Sequence, residues 1–299
     1  MSLSQQSHVP DSQNPPETEK AVPNDEKMED ADEPLFDCKI GSTDVLITLL
    51  TTLLIDKDQT MTCSLVQAGM KFTVEKGKAL RAKAYLKSAL FQDYMLKKDA
   101  EFTISLSIFL QCLQVFGLQA HLQITYAGEG APVSLLLEEG GVITQCEIRT
   151  LENNSPVDFD FRAAPITSRA VIKSQFLKNS FAELDVQGAT DVSVGMFPRA
   201  PFLQMSTKGN SSSCQIDFPM EKDADVFTEF ECKEESIHQY PLSLIRPCIK
   251  ALAKSEHTNL RMNQEGMLSM QHVIPANDGH TNWVEFLVCS KEDTSDTQD

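Results

Sequence analysis

The most compact acidic motif in the apolar part of this 299-residue chain is Asp158-Phe159-Asp160-Phe161. Carboxylates at i and i+2 of a strand face the same side. Asp158 and Asp160 so placed could hold Mg²⁺ for phosphodiester cleavage. The competing reading is an alternating strand, with Phe159 and Phe161 buried and both aspartates solvated. No further carboxylates are nominated to complete a metal site. Gly77-Lys78 does not make a phosphate loop, because Ala79 stands where Ser or Thr is needed and Gly69 is eight residues back. The six histidines are scattered, without His-x-x-x-His spacing or pairing to cysteine, so neither a metal nor another cofactor is expected. No serine lies in Gly-x-Ser-x-Gly.

Basic side chains carry a different chemistry. Arg246, Lys250 and Lys254 recur at i, i+4 and i+8 and share one face of a predicted helix over 242–254. Ile245, Cys248, Ile249 and Leu252 take the opposite face. Lys173 and Lys178 flank or lie on a second helix, predicted over 175–184. A solvated face is the bland reading; sequence-independent contact with phosphates is the functional one. Two further predicted helices lack such a stripe. The one over 106–116 presents Ser107, Gln111 and Gln114, and the one over 43–55 presents Thr48, Thr51 and Thr52. If these helices face a nucleic-acid backbone, contact should be weak and concentrated in the second copy.

The elements that position these residues are set by a repeat. Leu106–Phe116 and Leu242–Leu252 are versions of one another, 136 residues apart, with Leu, Ser and Cys coinciding at 106/242, 107/243 and 112/248. The register continues through His121/His257, Glu129/Glu265 and Gly130/Gly266. One domain used twice follows, in the order helix, strands, helix, strands. The first copy is expected over 35–149 and the second over 158–289, joined by a linker at 150–157 that has no periodicity. Predicted strands include a hairpin around Ala68-Gly69, another around Glu139-Gly140-Gly141, and the pair 191–196 and 202–207. The class is α+β, with two helices packed on antiparallel sheets in each copy.

Charge and cysteine usage bound the function class. The net charge is −17, of which −7 falls in residues 1–34 and −3 in 290–299. Both ends are too polar to offset their ordering entropy and read as disordered. Neither resembles a signal peptide, and no apolar run is long enough to span a membrane. Eight cysteines, none in Cys-x-x-Cys, sit mostly in apolar runs and suggest buried thiols in a reducing compartment.

Five segments together resemble one family: Gly69–Glu75, Leu137–Ile148, Asp158–Phe161, Phe181–Asp185 and Gly266–Gln271. They are similar to the Rad-one subunit of the heterotrimeric DNA-damage checkpoint clamp, the nine-one-one complex, and their order resembles the sliding-clamp fold of PCNA. The resemblance implies two similar domains in a crescent, with helices inside and sheets outside. Three different crescents would close around double-stranded DNA, so two related clamp subunits are the implied partners. A clamp loader and checkpoint and repair proteins are implied as well, together with a nuclear location. By analogy with clamp topology, the joints would use Val142, Thr144, Cys146 and Ile148 from one domain and Ser212, Cys214 and Ile216 from the other. The linker would be a docking site. A non-catalytic role follows, with two alternatives: 3′→5′ exonuclease activity, also attributed to this family and resting on Asp158/Asp160, and a homotrimeric replication clamp.

Overall fold

The computed structural model describes residues 33–152, 160–220, 225–275 and 281–291. Every element below belongs to the unit Pro34–Asp299. The element order occurs twice. In the first half β1 (Phe36–Ile40) leads into α1 (Asp44–Leu53). There follow β2 (Thr60–Val66), β3 (Gly69–Lys76), β4 (Leu80–Lys87), β5 (Asp93–Leu96) and β6 (Ala100–Ser105). The half closes with α2 (Leu106–Leu113), β7 (His121–Tyr126), β8 (Val133–Glu139) and β9 (Val142–Ile148).

The second half runs β10 (Ile166–Lys173), α3 (Ser174–Glu183), β11 (Asp191–Met196), β12 (Leu203–Lys208) and β13 (Ser213–Phe218). It ends with β14 (Phe227–Cys232), β15 (Ser236–Pro241), α4 (Leu242–Leu252), β16 (His257–Asn263), β17 (Leu268–Pro275) and β18 (Thr281–Val288).

The sheets repeat as well. The order β5-β1-β7-β8-β9 in the first half matches β14-β10-β16-β17-β18 in the second, and β4-β3-β2-β6 matches β13-β12-β11-β15. Antiparallel pairing of β18 with β4, from Trp283↔Tyr85 to Val288↔Leu80, fuses two of these sheets into one of nine strands. One face of each sheet is apolar by simple alternation, as in β2, whose Met61, Cys63 and Leu65 are buried. Helices cover that face. Contacts link α2 to α1, α1 to α4 and α4 to α3, so the four form a row. Phe36, Phe72, Phe109, Tyr240 and Phe286 are the largest fully buried side chains of the core between helices and sheets.

The hairpin predicted at Glu139-Gly140-Gly141 forms between β8 and β9. Gly140 and Gly141 have φ of 61° and 82°, and positive φ at both central residues is what a two-residue turn matching strand twist requires.

Several sequence expectations are corrected. Strands β1, β5, β10 and β15 were not anticipated. In β10 the adjacent polar residues Thr167 and Ser168 are both buried at a register shift, which hides the two-residue period. Helix α2 stops at Leu113, short of Phe116, and α4 stops at Leu252, leaving Lys254 in the following turn. Thr52, expected on the polar side of α1, is buried and donates to the Leu49 carbonyl at 2.6 Å. Phe161 is buried as expected, but in a turn instead of a strand. Most of the two acidic ends lies outside the described residues. Lys291, placed in the C-terminal tail by composition, instead donates its amide to the Gln239 carbonyl at 2.7 Å and pairs with Asp191 at 2.8 Å.

Candidate functional site

Two kinds of surface follow from the repeat: sheet edges and the exposed sides of the helix row. The seam inside the chain shows what a finished edge looks like. Across β18–β4 the inward side chains Val284, Phe286 and Val288 meet Leu80, Ala82 and Ala84, and all six are buried. The counterparts of these strands, taken through the ladder registers, are β9 and β13. Among the described residues β9 pairs only with β8, and β13 only with β12. Their inward side chains are accordingly half-open. Thr144 and Cys146 of β9 are partly exposed and only Ile148 is buried; Cys214 and Ile216 of β13 are partly exposed before buried Phe218. Both faces of β9 are apolar at its open start: Val142, on the inward face, is 58% exposed and Ile143, on the other, 64%. Ser212 lies one residue before β13, where its carbonyl accepts from the Gly209 amide at 2.8 Å, so it closes the turn and is not on the edge.

The helices tell the same story. Helices α2 and α4 are repeat counterparts, but α4 has one neighbour more, because α1 packs on it as well as α3. On α4 the positions Leu244, Pro247 and Ala251 are buried. The matching positions are Ile108 and Gln111 on α2 and Val115 in the turn after it, all exposed, with Ile108 at 48% and Val115 at 51%. Positions that are covered on α4 are therefore open at their counterparts in the first half. Sequence reasoning missed Ile108 and Val115, although the apolar-on-apolar match of the repeat contained the signal.

Cys112 of α2 and Cys146 of β9 are neighbours beside this uncovered region. Burial, and then the hydrogen-bonding Cys146 thiol, push the Cys112 thiol up to about 11. It is therefore a protonated, poorly nucleophilic group at neutral pH. Burial likewise raises Cys38, Cys63 and Cys248. All eight cysteines are free.

The basic candidates converge on α3 and α4, which are adjacent. Lys173 ends β10 and pairs with Asp225. Arg246 Nη2 lies 3.0 Å from Asp185 Oδ1 just beyond α3, both exposed. Lys250 Nζ donates to the Leu54 carbonyl at 2.8 Å, tying α4 to the end of α1. Lys178 and Lys254 are exposed and have no partner among the described residues. The expected stripe of free cations is thus partly neutralised. What remains of the patch is Lys178 and Lys254, without an ion-pair partner among the described residues.

The acidic pair does not come together as a described site. Asp158, with linker residues 153–157, lies outside the described residues. Asp160 is exposed, and its Oδ1 accepts from the Arg162 amide at 3.0 Å in a turn. At the start of the linker the Leu151 amide donates to Thr103 O at 2.8 Å.

The sequence matches the family described as "Repair protein Rad1/Rec1/Rad17" over residues 35–274. It is 34% identical over 268 residues to the mouse protein named "Cell cycle checkpoint protein RAD1", covering 87% of this chain and 95% of that protein. A more distant relative from Mycosarcoma maydis, named "DNA repair exonuclease REC1", is 21% identical over 182 residues, covering 52% of this chain and 39% of that protein. Among solved structures, the Proliferating Cellular Nuclear Antigen of Entamoeba histolytica superimposes with a TM-score of 0.71 at 12% identity, covering 87% of this chain and all of that one. The fold is thus the α+β sliding-clamp fold, and the chain belongs to the Rad1/Rec1/Rad17 family of repair proteins.

Proposed function

We propose that this chain is a non-catalytic subunit of a DNA-encircling checkpoint clamp, one of three related chains in a heterotrimeric ring. The observation that carries the reading is the contrast between the closed β18–β4 seam and its two open counterparts, β9 and β13. Each open edge would take a strand from a neighbouring subunit, which removes a template for aggregation. Helix α2 would receive a neighbour's helix over Ile108 and Val115, as α4 receives α1. Domains at 35–149 and 158–289, joined by a linker at 150–157, fit this scheme. A clamp loader would place the ring, in the nucleus, at damaged DNA, and checkpoint and repair proteins would dock on it.

Self-joining into a homotrimer is the poorer match. Carrying the internal register onto β9 and β13 of two identical chains sets Ile143 opposite Asp217 and Gln145 opposite Gln215. The seam itself sets Trp283 opposite Tyr85 and Glu285 opposite Lys83. An aromatic pair and a charge pair are both lost, so a different chain is the better partner for each edge. The exonuclease reading has the name of one distant relative in its favour. Asp160, however, spends a carboxylate oxygen on closing its own turn.

The patch on α3 and α4 supplies the test on DNA. Reversing charge at exposed Lys178 and Arg246 together, as Lys178→Glu/Arg246→Glu, is expected to lower retention of the assembled ring on DNA by about tenfold or more at low salt. Ring assembly should be unaffected. Retention on closed circular DNA at two salt concentrations is the measurement; equal retention at low salt would return the patch to a solvated surface.

A further inference from the structure

We propose that the groove beside β14 docks an extended, acidic segment of a partner protein, which adds to the nine-stranded sheet as a further strand. The groove has a volume of about 760 Å³ and is lined by none of β9, β13 or the four helices. Its apolar wall is Pro198, Phe202, Met220 and Phe230, and its rim carries Arg169, Lys233 and Arg261.

Three observations point to this occupant. First, β14 ends the sheet. Among the described residues it pairs only with β10, so its six residues offer a row of unpaired backbone groups on the other side. Such an edge accepts an added strand, with backbone bonds giving affinity and pockets giving specificity. Second, apolar side chains line the groove without being drawn into the core. Met220 is 47% exposed. Phe202 holds φ at +64°, a region L side chains rarely adopt, and its half-buried ring meets Phe230 edge-on at 5.6 Å. Together they form a slot for one apolar anchor.

Third, the lining carries three cations and one carboxylate, Glu231, in a chain of net charge −17. Arg169 is steadied by Glu229 at 2.9 Å and Asn259 at 3.3 Å, and Arg261 by Glu285 at 2.5 Å and Ser269 at 3.0 Å, but each guanidinium has five N–H groups and two partners do not exhaust them. Lys233 Nζ donates to the Ile166 carbonyl, at 3.4 Å, and makes no ion pair among the described residues. Complementarity therefore selects acidic residues flanking the anchor. This proposal stands independently of ring assembly, since neither proposed joint contributes to the groove.

The test uses the full chain and a fluorescein-labelled nonapeptide, with a central phenylalanine flanked by alternating glutamate and threonine. Saturable binding is expected, with slower hydrogen exchange of the β14 amides. The exposed-site variants Met220→Asp and Lys233→Glu should each weaken binding about tenfold or more, while Ile143→Glu on β9 should leave it unchanged. A peptide with lysine for glutamate, or alanine for phenylalanine, should bind at least about tenfold more weakly. No saturable binding up to millimolar peptide would overturn the proposal. So would equal binding by both groove variants, equal binding by the alanine peptide, or binding without protection of β14.

Discussion

Replacing Ile108 and Ile143 together by glutamate is expected to abolish ring assembly while leaving the chain folded. Both side chains are largely exposed in the isolated subunit, so the substitutions leave its own core intact. In the ring, each would lie where the counterpart in the other half of the chain is covered: buried Leu244 of α4, and half-buried Trp283 of β18 beside Tyr85. An unpaired carboxylate at the position matching Leu244 loses its hydration without a compensating partner, at a cost of several kcal/mol, and one at the position matching Trp283 loses part of it. Two of them should weaken association by more than about a hundredfold. Size-exclusion chromatography with the partner subunits reads the assembly, and thermal unfolding of the isolated variant confirms the fold. Undiminished assembly of the double variant would remove α2 and β9 from the joint.

The second large effect is a loss of stability in acid that traces to one buried histidine. His272 on β17 is fully buried; its Nδ1 lies 2.9 Å from Thr258 Oγ1, and its Nε2 has no partner among the described residues. The ring packs edge-on against Phe286 at 5.7 Å. Thr258 continues into Ser174 and Ser255, each link 2.8 Å, so the imidazole ends a buried hydroxyl chain with no carboxylate in it. Burial pushes the His272 pKa down to about 3. The unfolded chain binds a proton near pH 6.5 and the native state does not, so stability is complete above that pH. It is lost as pH falls from about 6.5 toward 3. By pH 5 the loss from this group amounts to roughly 2 kcal/mol. Denaturant unfolding from pH 7 to 5, compared with His272→Gln, measures it. The substitution should flatten the profile; parallel profiles would contradict the assignment.

Much of the fold was legible in the sequence because local rules and the repeat agree. Glu139-Gly140-Gly141 gives its hairpin from turn chemistry alone. The match of Leu106–Phe116 with Leu242–Leu252 gives two helices and the doubled element order. What stayed hidden depends on neighbours. In β10 two buried polar residues mask the alternation. Four-residue β5 is too short to show a period. The basic stripe was legible as spacing, but its neutralisation was not, since Lys173 meets Asp225 and Arg246 meets Asp185, 52 and 61 residues away in sequence. The most consequential omission was the α2 face. The repeat aligns Ile108 and Val115 with Leu244 and Ala251, all apolar, and only the position of α1 in the row reveals which copy is covered.

The central claim is that the open edges are completed by different chains. Native mass spectrometry of the chain, alone and mixed with two related clamp subunits at micromolar concentration, tests it most directly. A monomer alone and a 1:1:1 assembly in the mixture are the expected masses. A homotrimer of the isolated chain, or three species that remain separate on mixing, would contradict the account.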